Sequence, residues 1–306
     1  MNRRTSLPEG LGPAFSVADA LATGATRDRL RRTDVHSHFH GARSRRRPDD
    51  ETTDDRLTTL RAVCREYLTI APTGSGFTHL TAARLWGMPL PWRLERDPRI
   101  HVLAARELPQ PRGKWVVGHR AEIEFVSLRG LPVVAPERAW IQLASVLTVD
   151  ELVIAGDHLI KRKRPASSTV RLQEVVAGCR RTRGAVKVRL AVRDIRPRTD
   201  SPKESQLRLL IVRAGLPEPV IGHTVCDTDG SFVGTPDLSY IAERIGIEYE
   251  GDVHRTDRWT FRDDIERREQ FESAGWRIIR VTEAHCESPA VLLARIRRAL
   301  VERAPR

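Results

Sequence analysis

Apolar residues in this chain repeat with two different periods, and the change from one to the other outlines its elements. A helical period, apolar at i, i+3, i+4 and i+7, runs through 57–68, 78–87, 136–146, 149–160, 168–180 and 184–193. It returns in KESQLRLLIVRAG (203–215), where Leu207, Leu210 and Ile211 share a face and Gly215 closes the turn. It appears again at 262–275 and 289–302. A strand pattern fits 99–104, 114–118, 122–127 and 131–134. Further on, PVIGHTVCD and GSFVG flank Asp229 and Gly230, a two-residue hairpin turn. TPDLSYI and IGIEYEG form a second hairpin across AERIG, and WRIIRVT reads as a last strand. The order from 203 onward is α-β-β-β-α-β-α, which fits an α/β sandwich with a central sheet. Pro197 and Pro202 punctuate the run before it, so a domain boundary is expected near 195.

At 306 residues, two domains are expected. No apolar run approaches the roughly 20 residues of a membrane helix, and MNRRTSLPEGLGPAF has no apolar h-region. Cys64, Cys179, Cys226 and Cys286 are far apart and form no C-x-x-C pair, which argues against a zinc ribbon or disulfide framework. They read as reduced thiols of a cytoplasmic protein.

Charge changes this picture more than composition does. The net charge is +12, but it is concentrated. Residues 27–47 hold eight Arg against two Asp, and 161–198 hold thirteen Lys or Arg against two acids. The remainder of the chain is therefore net acidic. Two local basic stretches are the electrostatic footprint of a polyanion partner; the alternative is an Arg-rich solvated surface.

The first basic stretch has a pattern of its own. SVADALATG predicts a short helix capped by Ser16 and ended by Gly24, and TRDRLRR predicts a second, capped by Thr26. VHSHFH then alternates. Helix, tight turn, basic helix and wing is the layout of a DNA-binding helix-turn-helix, with Arg27, Arg29, Arg31 and Arg32 expected to reach phosphates and base edges. His36, His38 and His40 form an i, i+2, i+4 array that would grip a metal, lie against DNA as a wing, or simply face solvent.

The stretch GTPDLSYIAERIGIEYEGDVH carries five acids, Asp237, Glu243, Glu248, Glu250 and Asp252. Across the hairpin, Asp237 falls opposite Glu248 or Tyr249, and alternation points Glu248 and Glu250 the same way. Like charges that close resist ionising, so a cation between them is expected. An all-oxygen ligand set suits Mg²⁺ or Mn²⁺ rather than zinc. Such an ion is what phosphodiester hydrolysis requires, and His254 is placed to exchange a proton near neutral pH. The alternative is a solvated strand face, although glutamate is disfavoured in strands.

PDLSY, IEYEGDVHR and RDDIERREQFESAGWRIIRVT, with SPKESQLRLLIVRAGLPEP upstream, resemble the very-short-patch-repair (Vsr)-like endonuclease domain of the PD-(D/E)XK superfamily, over about 201–302. The resemblance implies an α/β core of a mixed sheet flanked by helices, and DNA as partner. It implies Glu204 as the first-helix glutamate, Asp237 as the PD aspartate, Glu248 as the acid of the (D/E)XK half-motif, and His254 as the histidine that follows. Where the superfamily often has lysine this chain has Glu250, either a further metal ligand or a weakening of catalysis. Asp263, Arg267 and Arg280 would support the site or bind phosphate. Residues 14–47, THLTAARLWGMPLP and LPVVAPERAWIQLA resemble the abortive-infection antitoxin family, which implies a winged helix followed by an α/β region over 57–195.

His79, His101, His119 and His158 have no partner spacing and read as ordinary surface or core residues; Trp86 and Met88 read as core. Glu204 alone would equally be a first-turn acid favoured by the helix dipole. Two functions stay open. One is a metal-dependent DNA endonuclease. The other is a DNA-binding regulator with an inactive nuclease fold, for which a toxin would be a further partner. A homodimer is compatible with either.

Overall fold

The computed structural model describes residues 6–45, 56–122, 124–179, 183–250 and 258–304, with the side chains of 258–265 excepted. The chain is a mixed α/β protein whose contacts divide into two compact units: Met1–Leu147 with Glu174–Ala185, and Thr148–Gln173 with Val186–Arg306. No described helix is long and apolar enough to cross a membrane.

The first unit opens with β1 (Ala14–Ser16), α1 (Val17–Ala22) and β2 (Ala42–Ser44), β1 and β2 pairing antiparallel. Ser16 caps α1, its hydroxyl oxygen accepting from the Asp19 N–H at 3.0 Å, as the sequence predicts. The expected second helix is instead a single 3-10 turn, Arg29–Arg31. Seven residues with like charges at helical spacing cannot support an isolated helix. The chain reverses around Arg29, which is buried and donates to both Asp34 oxygens at 3.0 and 2.7 Å. Arg29 is therefore an internal strut and not a phosphate contact, whereas Arg27, Arg31 and Arg32 are exposed.

After α2 (Arg56–Leu68), the unit is built on a six-stranded mixed sheet. In chain order its elements are β3 (Gly76–Phe77), α3 (His79–Leu85), α4 (Trp92–Glu95), β4 (Ile100–Ala104), β5 (Arg112–Gly113), β6 (Val116–Arg120), β7 (Phe125–Leu128), β8 (Leu131–Val134) and α5 (Pro136–Gln142). The strand order is β5-β6-β4-β3-β8-β7; β4–β6 and β3–β8 are parallel and the rest antiparallel. Leu80, Ala83 and Leu85 of α3 are buried, as their spacing requires, and so are Met88 and Trp140.

The second unit begins with α6 (Val149–Leu159), closed by a reciprocal capping box between Thr148 and Glu151. Next come α7 (Thr169–Ala177), which crosses into the first unit after Gln173, and then α8 (Ala185–Asp194) and α9 (Pro202–Arg213). α6 is bonded to α9 through Arg208 and Asp157, whose side chains are 1% and 0% exposed and lie 3.1 Å apart. α6 thus packs with α9 in the second unit, which starts at Thr148.

The strands that follow are β9 (Val220–Ile221), β10 (Val225–Cys226), β11 (Phe232–Gly234), β12 (Leu238–Tyr240) and β13 (Ile245–Tyr249). Then come α10 (Arg258–Ser273), β14 (Arg277–Val281), α11 (Glu283–Glu287) and α12 (Pro289–Glu302). The central sheet has the order β14-β13-β12-β9, with β13 and β14 parallel and joined over α10. One face of it buries Leu238, Ile245, Ile247 and Ile279 against Leu207 and Ile211 of α9 and Leu292 and Ile296 of α12. A second cluster joins Val225 and Val233 of the β10–β11 hairpin to Phe271 of α10 and Trp276.

Within α6, burial holds the His158 imidazole well below its ordinary range, at about 4, with the nearby Lys161 ammonium adding to the effect. The depressed folded-state value means that the unfolded chain binds more protons between about 4 and 6.5. Stability is therefore expected to fall as pH drops through that window. His158→Gln should flatten the loss, measured as urea midpoints from pH 7 to 4.5.

Candidate functional site

Of the residues singled out from the sequence, three meet at the open end of the β12–β13 hairpin. Leu238 pairs with Ile247 and Ser239 with Gly246, so the next step of the antiparallel ladder sets Asp237 across from Glu248. Gly246 makes this possible. A Cβ there would lie 2.6 Å from Ile278 Cδ1 and 2.9 Å from Pro236 Cγ, so only glycine lets the Pro236–Asp237 segment pass so closely. Ile245, Ile247 and Tyr249 face the core that α9 and α12 cover. Glu248 alternates to the opposite face, where Arg267 of α10 donates to its carboxylate at 2.6 Å.

Glu204 enters from the first turn of α9. Ser201 caps that helix, accepting from the Glu204 N–H at 3.2 Å, and Pro202 occupies its first turn. The Glu204 carboxylate accepts from the Asp200 N–H at 2.9 Å and is buried to 8% exposure. Burial raises its pKa, and the negative charges of Asp237 and Asp200 push the same way. Asp237 is pushed up to about 6, first by burial and then by the charges of Glu248 and Asp200. The Tyr249 N–H, donating to Asp237 Oδ2 at 2.7 Å, and the Arg267 guanidinium oppose the rise. A buried and a partly buried carboxyl thus destabilise one another's charge beside a third, the condition that an added cation relieves.

Glu250 is engaged by a different partner. Its carboxylate ion-pairs with Arg280 of β14 at 2.9 Å, on the exposed edge of the sheet. Arg280 is registered against Glu248 across the parallel β13–β14 pair. Glu250 thus holds a guanidinium beside the acid pair. His254 lies outside the described residues, and so does the side chain of Asp263. Lys203 turns away toward Glu283, which it contacts at 2.7 Å, and the Tyr249 ring.

All the donors here are carboxylate oxygens, the set a hard divalent cation takes; Mg²⁺ commonly uses only one or two protein carboxylates and keeps its waters. Asp237 and Glu248 fit that role, with Glu204 behind them. Among the described residues, however, these acids are not drawn within 4.8 Å of one another as a trio. The group that does reach that spacing is His79, His101 and His119 in the first unit. Reading the sequence alone dismissed these three, because nothing in their linear spacing brings them together.

Comparison with known proteins adds no activity. No family model matches the chain, and no solved structure matches it. It is 27% identical over 222 residues to Uncharacterized protein MT2308 of Mycobacterium tuberculosis (strain CDC 1551 / Oshkosh), an alignment covering 72% of this chain and 79% of the relative. The same figures hold for Uncharacterized protein Rv2248 of Mycobacterium tuberculosis (strain ATCC 25618 / H37Rv).

Proposed function

We propose that the chain is a metal-dependent DNA endonuclease whose C-terminal region follows the Vsr-like, PD-(D/E)XK plan. The observation that carries this reading is the placement of Asp237 across from Glu248, with the charge of Asp237 felt by the buried Glu204. The three acids stand at positions that the resemblance to the superfamily motif implies. Asp237 and Glu248 would hold Mg²⁺ or Mn²⁺. The bound ion would lower the pKa of a coordinated water and offset charge on a scissile phosphate.

The chain's own residues have separate parts. The Tyr249 N–H fixes the orientation of Asp237 through one oxygen. Arg267 balances Glu248 in the free protein and is positioned to turn to a phosphate when an ion takes over that carboxylate. Glu250 stands where the superfamily often has lysine, and its ion pair with Arg280 keeps a cation at the same edge from the neighbouring strand. A guanidinium stays protonated, so Arg280 would stabilise phosphate charge and would not act as a base. The exposed Arg27, Arg31 and Arg32, with the basic run at 161–198, would supply sequence-independent phosphate contacts. These contacts also suit an antitoxin-like winged-helix region.

A second reading is favoured by the same ion pairs. With Glu248 bound to Arg267 and Glu250 to Arg280, the acid edge is neutralised without a metal, as in a DNA-binding regulator on an inactive nuclease fold. Incubating the full chain with supercoiled, linear and mismatched DNA, with and without Mg²⁺ or Mn²⁺, separates them. Nicked or linear product only with metal is the expected result. Salt-sensitive binding with no cleavage under any metal would leave the regulator.

A further inference from the structure

The first unit contains a second constellation, chemically unlike the acids. We propose that His79, His101 and His119 form a binding site for a late-transition divalent cation of the Zn²⁺ type, with a fourth position open to water. His101 lies on β4 and His119 on β6. Leu103 pairs with His119 and His101 with Val117, so the two imidazoles stand diagonally on one face of the parallel pair. His79 joins them from the first position of α3. The ring centroids of His79 and His119 are 3.7 Å apart, and those of His101 and His119 are 5.3 Å apart. One donor atom from each of the three falls within 4.8 Å of the others. Ligand nitrogens around tetrahedral zinc sit about 3.3 Å apart, given bonds of about 2.0–2.1 Å; the His79 and His119 rings are stacked at 12°, so binding requires them to fan apart until their in-plane lone pairs converge.

Packed imidazoles alone do not require a metal, but the hydrogen bonds around these do point to one. The His79 backbone N–H donates to Gln142 Oε1 at 2.9 Å, which identifies that atom as the oxygen. Thr78 Oγ1 donates its proton to the same oxygen at 2.9 Å. It can then only accept from His79 Nδ1, 3.2 Å away. The proton of His79 is thus on Nδ1, and Nε2 presents a lone pair. A hydroxyl or carbonyl partner that fixes the tautomer is the usual support of a metal-binding histidine.

His101 carries the second sign. Its Nδ1 shares a proton with His119 Nε2 at 3.1 Å, while its own Nε2 is buried with no hydrogen-bond partner. Whichever ring gives the proton, the two nitrogens lie 3.1 Å apart, close to the spacing of zinc-bound nitrogens; a cation between them would take both lone pairs, each ring keeping its one proton on its other nitrogen, with His79 Nε2 as the third donor. Two further facts agree. His79 has φ of +49°, a left-handed conformation that a non-glycine residue keeps only where its surroundings enforce it. All three imidazoles are held below their ordinary pKa by burial, His79 to about 3 and His101 to about 4, so they are neutral ligands at pH 7. Three imidazole nitrogens suit zinc and its neighbours, not Mg²⁺, so this site is independent of the acids in the second unit.

The test is titration of the chelator-treated full chain with zinc sulfate by calorimetry, and with Co²⁺ by visible absorption. One equivalent should bind, with the intense absorption of a four-coordinate cobalt ion. His101→Gln and His119→Gln should abolish it, and Thr78→Val should weaken it by about 10-fold or more. Asp237→Ala should leave it unchanged, which separates this site from the proposed nuclease centre. X-ray absorption at the zinc edge of the unmutated protein requires no variant to fold, and three imidazole shells without sulfur are expected. No uptake by the unmutated chain, uptake unchanged in both histidine variants, or a sulfur shell would overturn the assignment.

Discussion

Asp237→Ala is expected to abolish metal-dependent DNA cleavage while leaving duplex binding and its salt dependence intact. The size follows from the position of the side chain. Asp237 sits across from Glu248 with one oxygen fixed by the Tyr249 N–H, and burial has already raised it to about 6. Removing it deletes half of the proposed ligand pair. Metal-derived stabilisation of a phosphoryl transition state amounts to several kcal/mol, and about 4 kcal/mol corresponds to roughly 10³-fold in rate. Comparing turnover with supercoiled DNA and Mn²⁺ between the unmutated chain and the variant measures this directly. Folding is not expected to suffer, because the variant relieves the repulsion that Asp237 shares with Glu204 and Glu248. A variant that still cleaved at the unmutated rate would remove Asp237 from catalysis and with it the nuclease reading.

The largest stability effect is expected at Arg208→Leu. Arg208 is 1% exposed and donates through Nη2 to Asp157 and to the Asp194 carbonyl, and through Nη1 to Glu218. Asp157 is fully buried, and its other oxygen accepts the Arg196 N–H at 2.7 Å. Taking away the guanidinium leaves a buried carboxylate uncompensated, which costs about 3–5 kcal/mol. The pH dependence has a definite sign. Burial raises the Asp157 pKa, and Arg208 is the main opposing influence; without it the folded-state value rises further above the unfolded one. The folded variant then holds a proton that the unfolded chain has released. Its stability is greatest at low pH and falls as pH rises through that window. Guanidinium unfolding at pH 5 and pH 7 should therefore show the smaller loss at pH 5. Asp157→Leu combined with Arg208→Met should recover much of the stability, because a packed apolar pair replaces a buried ionic one with little penalty.

Much of the fold follows from local pattern. The alternation of Ile245, Ile247 and Tyr249 identifies a strand with Glu248 on the other face, and β13 has that arrangement. Ser16 marks a helix start because its side-chain oxygen can satisfy the amide three residues on. Asp237 and Glu248 were legible as a pair because a hairpin brings near neighbours in sequence across from each other. The basic stretch at 27–32 was legible as charge but not as conformation. Whether Arg29 faces solvent or Asp34 depends on how the chain reverses after it. Glu250 shows the same limit: its partner Arg280 comes from the strand beyond α10, and only parallel pairing aligns them.

By itself, then, the sequence determined the longer helices, the C-terminal strands, the Ser16 cap, the approach of Asp237 to the Glu248–Tyr249 end of its partner strand, and the concentration of positive charge. All of these arise between residues close in the chain or from composition. Only the tertiary structure decided that Arg208 locks Asp157 from 51 residues away, and that three histidines from a helix start and two strands share one spot. The physical reason is that parallel strands and packed helices join positions whose separation is set by the connections between them, and a linear pattern carries no trace of that.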